Sequence, residues 1–216
     1  KEQGLARLNK IFGRIETIET PVKGDEIYSI IRKRLFQDVK DPSKKEEIIH
    51  KYFDFYRNNK RDVPAKAREL DFTRKMGLAY PFHPDTIDLL YEKWGTFPSF
   101  QRTRGVLRLL ANVVGDLYTR QKNIDVILPC DINLNHTGIR REFLKHIGYE
   151  YESIIGSDIA GHQAKAQTLD SENPQWKHLA ERIATSIFLH SFTAEEVEKG
   201  IDLPYIKMAT MRPETM

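Results

Sequence analysis

The sequence is 216 residues long, with 40% hydrophobic and 30% charged residues, a balance typical of a globular protein with a substantial core. The single cysteine, Cys130, excludes a disulfide framework and any cysteine-based metal cluster, and it favours a cytoplasmic location. A net charge of +3 is too small to indicate nucleic-acid binding, and neither a signal peptide nor an apolar run of the ~18 residues that a membrane helix needs is present.

The first predicted elements are the end of a helix and a short strand. Residues Gly4 to Phe12 carry one apolar side at helical spacing. Ile15 and Ile18 then alternate with polar residues, which predicts a strand. Arg14 stands just before that strand, where an arginine on its own is usually a surface charge. Because the chain starts at Lys1 rather than methionine, we expect a fragment of a longer protein.

Two helices and a basic connector follow. Asp25 is the predicted N-cap of the first helix, and Asp41-Pro42-Ser43 forms the turn and cap before the second. Residues Arg57 to Lys75 carry seven basic and three acidic side chains and are interpreted as a solvated link rather than a nucleic-acid patch. The apolar residues predicted to face inward are Ile27, Ile30, Ile31 and Leu35 in the first helix and Ile48, Tyr52, Phe55 and Tyr56 in the second.

The central stretch, Tyr80 to Tyr118, predicts two helices joined by a short loop. The first opens at His83-Pro84, where the missing N–H of proline costs nothing. In the second, Arg104 and Arg108 lie one turn apart on the side opposite the apolar stripe. Two arginines on a helix fixed in a core can present positive charge to an anion, and the alternative is a solvated charged face. The predicted buried row is Val106, Leu110, Val113, Val114 and Leu117, and the predicted polar row is Gln101, Arg104, Arg108, Asn112 and Thr119.

Downstream, the pattern becomes less regular. Residues Asn123 to Ile132 predict a short buried strand or extended segment, and Thr137 is the predicted cap of a helix that Gly148 ends. The stretch from Tyr149 to Pro174 is rich in glycine and polar residues, and we expect irregular structure there with a helix near Ala164.

The last part of the chain predicts three helices separated by tight turns. The first starts at Asn173-Pro174, the second carries a capping box at residues 193–196, and the third begins at residue 203. This arrangement resembles a helix-turn-helix or winged-helix unit, and the alternative is simple packing. Lys207 and Arg212 are the only cations near the third helix, which favours a structural or protein-docking role. We expect Trp176, Ile183 and Ile187 to be buried against the two later helices.

Catalytic motifs are absent from the sequence. It contains no Gly-x-x-x-x-Gly-Lys-Ser/Thr loop, no Gly-x-Ser-x-Gly elbow and no His-Glu-x-x-His motif. The seven histidines share no ligand-like spacing, so we expect no metal site. No nucleophile is paired with an orienting base, and the chain alone is not expected to be an enzyme.

The first half of the chain contains, in this order, FGR, a strand, TPV, DEIYSIIRKRLF, YPFHPDTIDLLYEKWG and QRTRGVLRLLA. This order of segments resembles the rear part of an AAA+ ATPase module. In particular it is similar to a family of large predicted prokaryotic ATPases of unknown function that are associated with DNA methyltransferases and phage defence. The resemblance covers residues 5–118 well, and the LPCDI and AERIATSIFLHSF stretches more loosely.

This resemblance implies a nucleotide-sensing role for several residues. Arg14 matches the arginine-finger position, and Arg108, in Gly105-Val-Leu-Arg108, matches the sensor-2 arginine, with Arg104 and Gly105 beside it as further cofactor-binding candidates. The Walker A and Walker B segments are absent. The resemblance therefore implies no cofactor in this chain, and ATP with Mg in the full-length parent.

Two hypotheses remain open, and they share a mainly α fold. The first is a C-terminal fragment of an AAA+-like ATPase, with residues 1–22 as the end of the core, 23–122 as a helical lid and 123–216 as a downstream domain. The second is a non-enzymatic helical module that binds DNA or a protein. The partners implied are the N-terminal nucleotide-binding half of the same protein, further copies of the chain, and DNA or a protein, with no membrane.

Overall fold

The computed structural model describes residues 24–192 and 201–213 of the chain. Within those ranges the chain is mainly helical and forms no sheet, which confirms the predicted mainly α class. No helix in the described ranges is both long enough and apolar enough to cross a membrane. The α-helices are α1 (Glu26–Leu35), α2 (Pro42–Asn58), α3 (Leu70–Ala79), α4 (Pro84–Asp88), α5 (Arg102–Thr119), α6 (Thr137–Ile147), α7 (Tyr151–Ile154), α8 (Lys165–Glu172), α9 (Leu179–His190) and α10 (Leu203–Thr210).

Three predicted features lie outside the described residues. They are Arg14, the strand over residues 15–18 and the capping box at residues 193–196, and the helix end predicted over residues 4–12 lies outside them as well.

Two of the four predicted helix ends are confirmed. The Asp41 side chain accepts the Lys44 N–H at 3.0 Å and caps α2. Gly148 ends α6 with a positive φ of 105°, a conformation that favours glycine.

Two predicted caps are wrong. Asp25 precedes α1 but makes no capping hydrogen bond, because its carboxylate pairs with Arg74 and Lys75 of α3 instead. Thr137 is the first residue of α6, and the cap is His136, whose ring nitrogen accepts the Ile139 N–H at 3.3 Å. A histidine in this position gives no capping signal in the sequence.

The helix predicted to open at His83-Pro84 is a succession of three turn types. After α4 the chain forms a π-helical turn, Leu89–Lys93, and then a 3₁₀ turn, Trp94–Thr96. These turns bring Trp94 into the middle of a core, where its ring centroid lies 4.4 Å from that of Phe143. The indole N–H donates to the Leu189 carbonyl at 2.8 Å, so the buried polar atom is satisfied.

The segment from Asn123 to Ile132 is extended, one of the two predicted forms, only over residues 123–128, and Pro129–Asp131 forms a 3₁₀ turn. It forms a single parallel bridge with the residues before α4, in which the Ile127 N–H donates to the Pro81 carbonyl at 2.8 Å and the His83 N–H donates to the Ile127 carbonyl at 2.9 Å. The Thr86 hydroxyl donates to the same carbonyl at 2.9 Å. The bridge joins the start of α4 to the downstream part of the chain.

Two apolar cores lie side by side, and each draws on residues from before and after position 122. The first joins α1 and α5 to the downstream helices α6 and α9. The second joins α2 and α3 to Leu128 of the extended segment and Met208 of α10. The predicted boundary between regions 23–122 and 123–216 therefore does not separate two cores.

The basic connector is not the solvated link that was predicted. Within Arg57 to Lys75 the chain forms a 3₁₀ turn, Ala65–Arg68, and the first residues of α3. Val63, Ala67 and Phe72 are buried in the second core, so the apolar residues of this stretch outweigh its charge in deciding its position.

The predicted burial of the C-terminal apolar stripe is wrong. Trp176 is 42% exposed and Ile187 is 37% exposed, and Ile183 is only half-buried. The reason is that Pro174–Trp176 is a separate 3₁₀ turn, and Lys177 and His178 then adopt left-handed φ values of 51° and 63°.

The α9 helix starts at Leu179 and not at Pro174. The side of the helix that faces the core is therefore not the one that was predicted. The inward side of the helix is mostly polar or aromatic. Its buried residues are Thr185, Ser186, Phe188, Leu189 and His190.

Candidate functional site

The predicted polar row, which contains Arg104 and Arg108, lies on α5, and the helix is oriented as the sequence indicates. We refer to the side of α5 that carries these two arginines as the arginine face. The apolar row of the helix is buried except for Val114, which is half-buried. The polar row on the opposite side is exposed along the whole helix. That row consists of Gln101, Arg104, Arg108, Asn112 and Thr119.

Gly105 lies on the buried side of α5, away from the two arginine side chains. A Cβ atom at this position would stand 2.0 Å from the Phe100 carbonyl oxygen, a distance no side chain tolerates. The glycine is needed for the close approach between α5 and the 3₁₀ turn Pro98–Phe100. The structure therefore brings Arg104 and Arg108 together on one face and places Gly105 under them as a packing residue.

Arg108 forms an ion pair with Glu142 of α6, a residue that the sequence analysis did not single out. The Glu142 side chain is 5% exposed, whereas that of Arg108 is 45% exposed. Lys145 reaches the other carboxylate oxygen at 3.0 Å. Burial raises the pKa of Glu142, and the hydrogen bonds from Lys145 and Arg108 outweigh it, so the pKa lies below its ordinary value.

Two cations thus share one buried carboxylate. His146 lies 3.6 Å from Glu142, but burial lowers its pKa and favours the neutral ring. If Arg108 turned towards another anion, Lys145 would remain on Glu142, and no buried charge would lose its only partner. The arrangement leaves one exposed guanidinium that can be redirected at small cost.

A second polar cluster is buried where α2, α4 and α9 meet. Tyr56 Oη lies 2.9 Å from His83 Nε2, and His83 Nδ1 accepts the Asp85 N–H at 3.2 Å. Asp85 Oδ2 lies 3.3 Å from His190 Nε2, and His190 Nδ1 lies 2.8 Å from the Ser186 carbonyl oxygen. We refer to Tyr56, His83, Asp85 and His190 as the buried network.

Burial and the hydrogen-bond partners define the protonation of His83. Burial lowers the pKa of His83 to about 4, so its ring is neutral and, with Nδ1 as acceptor, carries its proton on Nε2. The two ring nitrogens of His190 face a carbonyl oxygen and a carboxylate oxygen. Burial raises the pKa of Asp85, but the hydrogen bond and charge of His190 prevail and lower it below its ordinary value.

A cavity of about 420 Å³ opens onto this network. Its described lining contains four carboxylates and two lysines but no serine, threonine or cysteine that His190 could activate. Both ring nitrogens of His190 are already hydrogen-bonded, so the ring is not placed to accept a proton from a substrate. The buried network therefore joins three helices, and the arginine face is the better candidate for ligand binding.

The two C-terminal cations are engaged within the chain. Lys207 pairs with Asp62 of the connector. Arg212 is buried, binds both oxygens of Asp131 at 2.5 Å and donates to the Val126 carbonyl at 2.8 Å. Neither side chain is presented for contact with a nucleic-acid groove, in agreement with the preference for a structural role.

One group of side chains in the described part of the chain could reach a common metal ion: Asp170, His178 and Glu181. Both Asp170 oxygens already accept backbone N–H groups at the start of α9, each at 2.9 Å. Glu181 accepts the Asn135 amide at 2.7 Å. The two carboxylates thus have structural partners, and Asp170 serves as the N-terminal cap of α9 in place of His178.

Sequence reasoning missed Glu142 and the buried network for the same reason. Glu142 lies 34 residues from Arg108, and Asp85 lies 105 residues from His190, so no local spacing links them. One signal was present: Glu142 follows Ile139 by three residues and precedes Phe143, a position on the inward side of the predicted helix. A carboxylate in such a position requires a cationic partner.

Comparison with known proteins gives one match. The family model described as DUF499 second domain matches residues 22–215. No curated protein and no solved structure matches the chain. The family match begins at the residue where the sequence analysis ends its first region, and it extends over both of the later ones.

Proposed function

This chain belongs to the DUF499 second domain family, and from that premise we propose that it is the lid and downstream region of a larger AAA+-like ATPase. A domain described as the second implies at least one other domain in the parent protein. The nucleotide-binding half of that protein would hold ATP and Mg, and this chain would supply Arg108 to the phosphates, as the resemblance of its Gly-x-x-Arg segment implies.

The observation that carries the proposal is the position of Arg108. It is exposed on a helix whose other side is fixed in the first core, and its present partner, Glu142, is also bound by Lys145. A guanidinium in this position fits a phosphate, because its planar fork of N–H donors matches phosphate oxygens. Arg104, one turn away on the same face, would add a second positive charge.

The role proposed for Arg108 is to stabilise negative charge that develops on the phosphates. A preorganised donor does this most effectively when its helix does not move, and the close packing of Gly105 on Phe100 holds α5 in place. Arg14 is proposed as the arginine finger contributed by a neighbouring copy. A homo-oligomer is part of this proposal.

The test is ATP turnover by the full-length protein with Arg108→Ala. We expect turnover to fall at least ~10-fold, since removing one preorganised donor commonly costs about 3 kcal/mol. Lys145→Ala is the matched control, because it removes the other cation on Glu142 and leaves the arginine. Turnover at the wild-type rate in a folded Arg108→Ala protein, or an equal loss in Lys145→Ala, would contradict the proposal.

The alternative is a non-enzymatic module that binds a protein partner through its C-terminal helices. Two exposed apolar side chains favour it: Ile187 on α9 and Leu203 on α10. The Leu203 side chain is 61% exposed. In this case Leu203→Glu would abolish partner binding, whereas Arg108→Ala would have no effect on any function of the full-length protein. DNA binding by the third helix is less well supported, since Lys207 and Arg212 are both ion-paired.

A further inference from the structure

A cationic cavity lies between the end of α5, the start of α9 and Arg212. Its volume is about 520 Å³, and its lining contains more cations than carboxylates. The cations are Arg120, Lys122, Lys177, Arg182 and Arg212. The carboxylates are Asp131 and Glu181.

Two of the five cations are neutralised within the chain. Arg120 binds Asp116 at 2.5 and 2.8 Å, and Arg212 binds Asp131. These pairs leave the positive charge of the cavity to the other three residues.

Among the described residues the Arg182 side chain has uncharged partners only, the Cys130 sulfur at 3.5 Å and the Thr210 carbonyl. Lys122 and Lys177 are exposed and form no ion pair within the described residues. Against these three charges the lining offers only Glu181. The cavity therefore attracts an anion.

An apolar groove of about 680 Å³ adjoins this cavity and shares Leu117, Lys122 and Ile124 with it. Tyr118 stands on the rim of the groove with 85% of its surface exposed, the most exposed large hydrophobic residue in the described ranges. It follows Leu117, which is buried, so its backbone is anchored while its ring is free in solvent. An anchored, exposed aromatic ring is a surface on which a planar base can stack.

We propose that the cavity and the groove together bind a single strand of nucleic acid. The phosphates would lie against Arg182, Lys122 and Lys177, and a base would stack on Tyr118. Cationic grooves combined with aromatic platforms are the usual means of holding a single strand without sequence preference. A duplex fits less well because its bases are already stacked. This site is distinct from the arginine face and does not rest on the proposed ATPase role.

The experiment measures binding of a fluorescein-labelled dT12 strand to the chain by anisotropy, without nucleotide, at 50 and 200 mM salt. With about three phosphates neutralised on a single strand, the affinity should fall about 20-fold between the two conditions. Labelled rU12 in a parallel titration distinguishes DNA from RNA. The proposal covers either strand, and it is overturned if neither binds.

The variants are chosen to leave the fold intact. Lys122→Glu combined with Lys177→Glu should weaken binding ~10-fold or more at 50 mM salt. Tyr118→Ser should weaken it about 5-fold. Lys60→Glu and Tyr149→Ser are the matched controls, since both residues are exposed and lie outside the cavity and the groove, and they should bind as the wild type does.

Three further results would overturn the proposal. The first is unchanged binding in the lysine double variant, and the second is an equal loss in the two control variants. The third is displacement of dT12 by poly-glutamate as effective as that by unlabelled dT12, which would point to an acidic protein segment instead. Arg182 is left unchanged because its removal would deprive the Thr210 carbonyl of its donor.

Discussion

The arginine face and the buried network differ in how their charged groups are paired. In the buried network the Asp85 carboxylate makes one side-chain hydrogen bond, to His190, while the half-exposed Lys66 lies 3.9 Å away, and both nitrogens of His190 are bonded. On the arginine face, two cations share Glu142, and one of them is 45% exposed. The first arrangement holds helices in place, because no member can leave without exposing a buried charge. The second leaves a cation that can change its partner.

This difference separates structural from functional polar groups more clearly than burial does. Asp85 and Glu142 are both almost fully buried carboxylates that bind cations. What distinguishes them is the number of side chains that donate a hydrogen bond to the carboxylate: the buried His190 for Asp85, and both Arg108 and Lys145 for Glu142. Three sets of substitutions, at Asp85, at Asp88 and on the arginine face, test this distinction.

The largest effect is expected for Asp85→Ala. It leaves the buried His190 Nε2 without its carboxylate partner, and breaking a buried pair of this kind costs about 3 kcal/mol. Urea denaturation measures the change in the free energy of unfolding. Asp71→Ala is the control, because Asp71 pairs with Arg74 and Lys75 at the surface, where solvent screens the charges and the loss should be much smaller. Equal losses would remove the distinction.

A smaller effect of opposite sign is expected at Asp88, which lies between the buried network and solvent. Burial raises its pKa from 3.8 to about 6, and Tyr28 donates to it at 2.5 Å. The folded chain therefore holds this proton more tightly than the unfolded chain does. The stability that this proton provides is complete below about pH 4 and is lost as the pH rises to 6.

Asp88→Asn should consequently raise the free energy of unfolding by about 2 kcal/mol at pH 7.5 and change it little at pH 4. Denaturation at both pH values measures the difference. Glu46→Gln is the control, since Glu46 is an exposed carboxylate that takes no part in the shift of the Asp88 pKa. A gain that is equal at the two pH values would mean that Asp88 is not the group that titrates.

The smallest effects are expected on the arginine face. Arg108→Ala and Lys145→Ala should each cost less than about 1 kcal/mol, because the remaining cation stays on Glu142. The double variant leaves Glu142 without either partner and should exceed the sum of the singles by about 1 kcal/mol or more. Strict additivity in this cycle would show that the two cations do not substitute for each other.

The sequence predicted the elements whose information is local. In α5 the apolar row and the exposed row follow the helical repeat, and the structure confirms both. The pairing of Arg108 with Glu142 and of Asp85 with His190 depends on how distant segments pack, which periodicity does not encode.

The failure at α9 has a different cause. Two residues in the left-handed region, Lys177 and His178, separate the proline turn from the helix. Left-handed residues are usually recognised by glycine or asparagine, and neither occupies these positions. The helix therefore begins later than predicted, and its apolar stripe is turned partly to solvent.

The bridge between Phe82 and Ile127 has a mechanical consequence. Ile127 makes three hydrogen bonds there: its N–H donates to the Pro81 carbonyl, and its own carbonyl accepts from the His83 N–H and the Thr86 hydroxyl. These bonds tie the start of α4 to the downstream segment, whose Leu128 packs in the same core as Met208 of α10. The amide protons of His83 and Ile127 should accordingly exchange with solvent only when the whole unit opens, and they report its cooperativity.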